Sequence, residues 1–377
     1  MPRARLRDLG ITTGTLPIGQ WNAITDVPGV EVGYATLIEG DAVRTGVTAI
    51  HPRGAADPGD PVIAGFFSQN GNGEMTGVSW IAESGTFAGP VAITNTHAVG
   101  IAHAAIIAWA VRRRLPMADA WLLPVAAETW DGYLNDINGQ HVTQEVVLAA
   151  LDAAASGPVE EGSVGGGTGM NCFQFKGGSG TASRLVGYAG TEYTVGVFVQ
   201  ANYGVREELT LAGRPVGRLV TAPNPMAAGP AVPPGAGSVI VVAGTDAPLM
   251  PPQCQALARR VSLGLGRTGT AGSHFSGDLF LAFSTGNPGA ITPGFSVLAD
   301  DAAGPAPGHP GDYDQLRFIP WGYLDPFYAA VVQATEEAVA NALVANEDMT
   351  GRDGHLSPAL PRDQVAALFG SGARADW

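Results

Sequence analysis

Gly237-Ser238-Val239-Ile240-Val241-Val242-Ala243 reads as a five-residue apolar strand that begins immediately after a serine. Residues 221–237, rich in Pro, Gly and Ala, run into it and form the most linker-like part of the chain. Downstream, Thr245-Asp246-Ala247-Pro248 turns the chain into a helix over Pro252–Gly264, with Cys254, Leu257, Ala258 and Val261 on one face. A strand over Asp278–Thr285 follows, and Asp325-Pro326 caps and opens a long helix to about Asn346. Upstream, strands are expected over Val30–Ile38, Arg44–Ile50, Pro90–Thr94 and Leu122–Ala126. Gly65–Ser68 leads into the polar, glycine-spaced loop Gln69–Glu74, and Glu128–Asp136 is the polar exit of the Leu122–Ala126 strand. Asn95 or Thr96 caps a helix over His97–Arg114, and Thr143 caps one to about Ala155. A short strand over Cys172–Phe175 sits inside the glycine-rich segment 165–180, followed by strands over Leu185–Ala189 and Tyr193–Ala201 and a hairpin turn at Gly213-Arg214-Pro215. Strands recurring with long helices place the chain in the α/β or α+β class, and the intervals lack the regularity of a βα barrel.

The 377 residues suffice for one large core or two moderate domains. Hydrophobic residues make up 45%, which excludes a disordered chain, and only 14% are charged. A net charge of −14 argues against binding nucleic acid phosphates or anionic membranes. Of the 20 basic residues only Lys176 is a lysine. The basic N-terminus lacks the apolar stretch of a secretion signal, and the best uncharged run, Ala98–Val111, is too short to span a bilayer. The expectation is a soluble, cytoplasmic protein.

Cys172 and Cys254 support neither a disulfide framework nor a thiolate cage, and the seven histidines form no His-Glu-x-x-His, so no metal or other cofactor is expected. Gly272-Ser273-His274-Phe275-Ser276-Gly277 is one residue too long for the serine-hydrolase elbow. Gly165-Gly166-Gly167-Thr168-Gly169-Met170 has Met in place of the third glycine of a dinucleotide fingerprint and precedes a strand rather than a helix. It serves either close strand–loop packing or the lining of a cleft.

Gly237-Ser238 has two readings. On residue chemistry alone Ser238 is a turn residue ahead of a strand. Alternatively, the Gly237–Ser238 peptide is cut. A new N-terminal serine carries a hydroxyl nucleophile and an α-amine whose reference pKa of about 8 leaves it partly neutral, so no catalytic histidine is needed. Gly237 leaves the carbonyl uncrowded for attack, and the preceding linker holds strain and then moves away.

Seven further motifs stand in order along the chain. They are Asn70-Gly71-Asn72-Gly73-Glu74-Met75-Thr76-Gly77, Thr94-Asn95-Thr96-His97, Glu128-Thr129-Trp130-Asp131-Gly132-Tyr133-Leu134-Asn135-Asp136, Gly167–Met170, Phe175-Lys176-Gly177-Gly178 with Ser183-Arg184, Val199–Gly204, and Arg267-Thr268-Gly269 with Ser276-Gly277-Asp278. Together with Gly237-Ser238 they resemble the aminopeptidase family typified by L-aminopeptidase/D-esterase and the β-peptidyl aminopeptidases, over about residues 8–346. The resemblance implies an α+β, four-layer αββα sandwich, similar to the N-terminal-nucleophile hydrolases but with different connectivity. It implies a single domain over 1–377 that cuts itself into an α chain, 1–237, and a β chain, 238–377. It also implies removal of the N-terminal residue from short peptides, amides or esters with a free amine, and self-association of αβ pairs.

By the same resemblance Ser238 is the nucleophile with its own amine as base, and Asn202 stabilises the oxyanion. Glu128 receives the substrate ammonium. Tyr133 lines that pocket and donates a hydrogen bond to the reacting centre. Ser276 polarises the Ser238 amine and Asp278 anchors ammonium charge. Lys176 is read as a structural partner of a loop carbonyl or carboxylate, and Asn70, Asn72 and Glu74 as either a turn network or cleft lining. β-Peptidase members of the family carry Glu where this chain has Asp278, which favours L-/D-alanine-type over β-amino-acid substrates. Two other readings of the chain are acyl transfer to an amine and a non-catalytic binding protein of the same fold.

Overall fold

The computed structural model describes residues 3–119, 121–228, 237–291 and 313–370. The first half contains β1 (Glu31–Glu39), β2 (Val43–His51), β3 (Val62–Gly71), α1 (Val78–Ser84), β4 (Thr86–Phe87), β5 (Val91–Asn95), α2 (Val99–Arg112), β6 (Val125–Thr129) and α3 (Gln144–Asp152). The second contains β7 (Asn171–Cys172), β8 (Phe175–Lys176), β9 (Gly178–Tyr188), β10 (Thr191–Asn202), α4 (Val216–Leu219), β11 (Gly237–Thr245), α5 (Pro251–Arg267), β12 (Ser276–Ser284) and α6 (Asp325–Val344). The small pair β13 (Met349–Thr350) and β14 (Leu356–Ser357) and the helix α7 (Arg362–Phe369) follow.

Two sheets carry the fold, one in the order β1-β2-β5-β6 and the other β4-β3-β12-β11-β10-β9. Side-chain alternation along β11 assigns the layers. Val239, Val241 and Ala243 pack with Leu257, Val261, Val331 and Ala338 of α5 and α6. Ile240 and Val242 instead pack with Ile50, Val91, Ile93 and Val125 of the other sheet. Beyond that sheet, Val47, Ala49, Ala92 and Ala126 meet Ala105, Ile106 and Trp109 of α2 and Val147 and Leu151 of α3. Three apolar cores between four layers make an αββα sandwich. Each buried Val, Ile or Leu in them contributes about 1.5–3 kcal/mol of transfer free energy.

β11 is therefore apolar on both faces because both faces are covered. Its neighbours are β10, antiparallel, and β12, parallel. The parallel pair β11–β12 is joined through α5 and the parallel pair β5–β6 through α2, each helix covering its own sheet. At Gly180 of β9, a Cβ would lie 2.0 Å from the carbonyl oxygen of Ala338, so only glycine lets α6 approach the sheet this closely.

Several elements differ from the sequence expectations. β6 spans Val125–Thr129 rather than Leu122–Ala126, so Glu128 stands inside the strand and not at its exit. The ladder starts only after Pro124, which has no N–H to give, and Leu123 is exposed. The expected strand over Cys172–Phe175 is a hairpin, with Phe173 and Gln174 at its turn in the left-handed region (φ 51° and 56°). β3 continues to Gly71, and Asn70 pairs with Asp278. α6 starts with Leu324 at its N-cap and no side-chain cap, and Thr143 likewise makes no cap hydrogen bond. Asn95 does cap: its side chain accepts from the N–H groups of His97 and Ala98, each at 3.1 Å. Of the expected 221–237 linker, residues 229–236 lie outside the described residues. Cys172 and Cys254 are buried and unbridged. No helix among the described residues is long and apolar enough to cross a membrane.

Candidate active site

Ser238 is the second residue of β11, in the same side-chain phase as Ile240 and Val242, and its hydroxyl faces the space between the sheets. Across the antiparallel ladder its partner is Asn202, the last residue of β10; across the parallel ladder it is Gly277 of β12. The backbone N–H of Trp130, just past the end of β6 in the other sheet, donates to Ser238 Oγ at 3.2 Å.

The Asn202 amide is oriented at both ends. Its Oδ1 accepts the Asn171 N–H at 2.9 Å and its Nδ2 donates to Trp130 O at 2.8 Å. One N–H of the amide nitrogen remains beyond that bond, so Trp130 N–H and Asn202 Nδ2 supply two donors next to one hydroxyl. That is the equipment needed to hold an oxyanion.

Glu128 lines the same cavity as Ser238. Its Oε1 accepts the Glu74 N–H at 2.9 Å, and its Oε2 accepts the Thr96 hydroxyl in a short hydrogen bond. Burial raises its pKa above the usual carboxylate range, against the lowering effect of these two bonds. Ser238, Glu128, Trp130, Phe275 and the Asn72–Glu74 loop line one cavity of about 470 Å³. A carboxylate and a hydroxyl lining one cavity suit a substrate with a cationic end and an electrophilic carbonyl.

Ser276 and Asp278 form a buried pair on β12, Ser276 Oγ donating to Asp278 Oδ1 at 2.6 Å. Asn70 Nδ2 donates to Asp278 Oδ2 at 2.9 Å. Burial raises the Asp278 pKa, although the bonds from Ser276, Asn70 and the Val239 backbone oppose it. In register Ser276 stands beside Gly237 and Asp278 beside Val239. Asp278 shares its face of β12 with Phe280 and Ala282, which pack toward α5 and α6. The pair thus flanks the main chain around Ser238, on the side opposite its hydroxyl.

Tyr133 is not brought to this cavity. Its hydroxyl donates to Leu356 O at 3.3 Å and its ring stacks on His355 at 4.6 Å. Among the described residues no group of three or more His, Cys, Asp or Glu side chains is placed to hold a metal ion. Gly237 is closely fitted: a Cβ there would lie 2.0 Å from Asn202 O.

Site groups that the residue-by-residue reading did not single out are Thr96, Asn171 and the main-chain N–H groups of Glu74 and Trp130. A main-chain donor carries no side-chain signature, and Thr96 stands next to a cap residue, where a hydroxyl is commonplace.

The profile of peptidase family S58 matches residues 22–357. The chain belongs to peptidase family S58. It is 46% identical over 382 residues to a β-peptidyl aminopeptidase from Sphingosinicella microcystinivorans, covering 97% of this chain and 91% of that one. Its structure is similar to that of a β-aminopeptidase from a Burkholderia species, with a TM-score of 0.87, 44% identity and coverage of 98% of this chain and 100% of that one. It is also similar to the L-aminopeptidase D-Ala-esterase/amidase from Ochrobactrum anthropi, described as a prototype of the serine aminopeptidases and a variant of the N-terminal-nucleophile hydrolase fold. There the TM-score is 0.86, with 45% identity and 98% of each chain covered. As an S58 member, the protein is a self-processing serine aminopeptidase with an N-terminal nucleophile, acting on short peptides, amides and esters. Its αββα sandwich is that of an N-terminal-nucleophile hydrolase.

Proposed function

We propose that self-processing cuts the Gly237–Ser238 peptide and that Ser238 then acts as nucleophile on the N-terminal residue of a substrate bound through its ammonium to Glu128. The observation that carries this reading is that Ser238 and Glu128 line one cavity, with the Asn202 amide in register beside the serine. The pieces 1–237 and 238–377 stay together as one folded unit. β11 and β12 from the second piece lie between β3 and β10 from the first, so separation would break the ladders on both sides.

In the reaction Ser238 Oγ attacks the substrate carbonyl, and its proton passes to the α-amine that the cut has freed, directly or through water. Asn202 Nδ2 and Trp130 N–H hold the negative oxygen. Collapse passes that proton to the leaving amine or alcohol and leaves an ester on Ser238, which water cleaves by the same steps. Ser276 and Asp278, flanking the main chain at Ser238, hold the freed amine in place. Tyr133, with its hydroxyl on Leu356 O and outside the cavity, is assigned no part in substrate binding or proton transfer.

Asp278 lies outside the cavity lining, behind the main chain of Ser238, so its shorter arm sets no preference between alanine-type and β-amino-acid acyl residues; relatives similar to the chain are named as β-peptidyl aminopeptidases and as an L-aminopeptidase D-Ala-esterase/amidase. The low share of charged residues, 14%, supports self-association of αβ pairs. Intact-mass analysis of active protein tests the cut, with two fragments expected at 237/238 and an active, wholly uncut chain excluding it. Alanyl and β-alanyl amides, free and acetylated, test the rest on the same sample. Equal turnover of free and acetylated forms would remove Glu128 from its role.

A further inference from the structure

Lys176, the only lysine of the chain, is fully buried. No carboxylate offsets its charge among the described residues, and burial pushes its pKa well below the usual lysine range. Its Nζ donates instead to two main-chain oxygens, Met170 O and Gly177 O, each at 2.7 Å. A buried amine held only by carbonyls is a costly feature for packing alone.

The first of those carbonyls leads to the active site. Met170 O and Asn171 N–H are the two ends of one peptide group, and the N–H end donates to Asn202 Oδ1. The β7–β8 hairpin sets Asn171 directly opposite Lys176. The hairpin does not need the amine to close. Asn346 Nδ2 already holds Lys176 O and Gly177 O at 3.0 and 2.9 Å, and Gly177 N–H reaches Met170 O at 2.9 Å. What the amine adds is a second donor on the oxygen of this peptide, which polarises the peptide and strengthens its N–H as a donor.

We infer that Lys176 is a positioning residue for catalysis and self-cutting: through the Met170–Asn171 peptide it keeps Asn202 Oδ1 anchored, so that Asn202 Nδ2 faces the reacting oxygen. The inference rests on the assignment of Asn202 as the oxyanion donor. With a weaker donor at Asn171 the amide is held chiefly by the single bond from Nδ2 to Trp130 O, so it turns more readily about its terminal torsion and its oxygen competes for the place of its nitrogen. Substrate capture by Glu128 is untouched, so the effect falls on kcat and not on KM.

The test is a cycle in the full-length chain: Lys176→Met, Asn202→Ala and the double variant, with near-UV circular dichroism to establish folding. The readouts are the first-order rate of self-cutting, and kcat and KM for an alanyl amide per mature enzyme. Lys176→Met is expected to lower kcat and the cutting rate at least tenfold with KM within twofold, and to add nothing further to Asn202→Ala. Unchanged kcat in Lys176→Met, or an equal further loss on top of Asn202→Ala, overturns the inference and leaves the Asn202 assignment standing. An Asn202→Ala variant with unchanged kcat removes that assignment and this inference with it. Lys176→Gln, which keeps a donor in the site, serves if the Met variant does not fold. It is expected to lose less cutting rate than Lys176→Leu, and equal losses in the two would refute the positioning role.

Discussion

Trp130 N–H donates to Ser238 Oγ at 3.2 Å across the gap between the two sheets. Trp130 follows β6 and Ser238 is the second residue of β11, so the contact exists only when the two sheets are stacked. Trp130 O in turn receives Asn202 Nδ2. One residue of the smaller sheet therefore aligns the hydroxyl through its N–H and the amide through its carbonyl, and the reacting oxygen is addressed before any substrate arrives. Preorganised donors of this kind cost nothing to reorient during the reaction.

Asn202→Asp separates shape from hydrogen bonding. The aspartate still accepts the Asn171 N–H but has no N–H for the oxyanion and sets a carboxylate oxygen against Trp130 O. Loss of one such donor costs about 3–4 kcal/mol, so kcat should fall roughly 10²–10³-fold or more with KM nearly unchanged. Steady-state kinetics of the mature variant decide it, and a KM-only effect would place Asn202 in binding.

Glu128→Gln should abolish the preference for a free amine. Removing one partner of a desolvated charge pair costs about 2 kcal/mol or more, some 30-fold in kcat/KM. The pH dependence gives a second readout. Burial raises the Glu128 pKa, and only its ionised form pairs with ammonium. In the wild type kcat/KM should therefore decline as pH falls, starting at a higher pH than an ordinary carboxylate would set. The Gln variant should lack that limb, and an unchanged acid limb would assign it to another group.

The motifs made much of this site legible. Ser238, Asn202 and Glu128 each stood in a recognisable run, and the apolar stretch Val239–Val242 announced the central strand. Three features were hidden for separate physical reasons. Leu122 and Leu123 extended the apolar signal of β6 the wrong way, because hydrophobicity does not record that Pro124 cannot donate to a ladder. The Phe173-Gln174 turn uses left-handed backbone at two residues that rarely adopt it, so no turn signal marked the hairpin that sets Asn171 opposite Lys176. The Thr96–Glu128 bond and the Trp130–Ser238 contact join residues far apart in the chain, and only packing brings them together.

Gly237→Ala should leave the precursor uncut. Its added methyl would stand 2.0 Å from Asn202 O and 3.0 Å from the carbonyl carbon of the same residue, both main chain and both unable to step aside cheaply. β11 must then shift against β10 at the residue that carries the nucleophile. Denaturing electrophoresis over time should show one full-length band where the wild type shows two. Cutting at the wild-type rate would mean that the two strands are not held this closely in the precursor.

Asp131 predicts how stability should vary with pH. The residue adjoins Trp130, is fully buried, and takes a hydrogen bond from Asn135 Nδ2 at 3.1 Å. Desolvation pushes its pKa up to about 7, outweighing the lowering effect of Thr45, Asn135 and Asn95, and no cation offsets it among the described residues. The folded state thus binds a proton that the unfolded chain releases near pH 4. Between those values the folded protein holds more protons than the unfolded one, so this group's contribution is full below about pH 4 and is lost as pH rises to about 7. Each unit of displacement is worth about 1.4 kcal/mol. Asp131→Asn carries no titrating proton, so its thermal midpoint should exceed the wild type's at pH 7.5 and converge toward it by pH 4.5. Glu161, also pushed up to about 7 by burial, leaves a residual slope of the same sign in both proteins. Parallel midpoint curves across this range would show that Asp131 is ionised at the same pH folded and unfolded, and that its burial is compensated by contacts stronger than those of Asn135, Thr45 and Asn95.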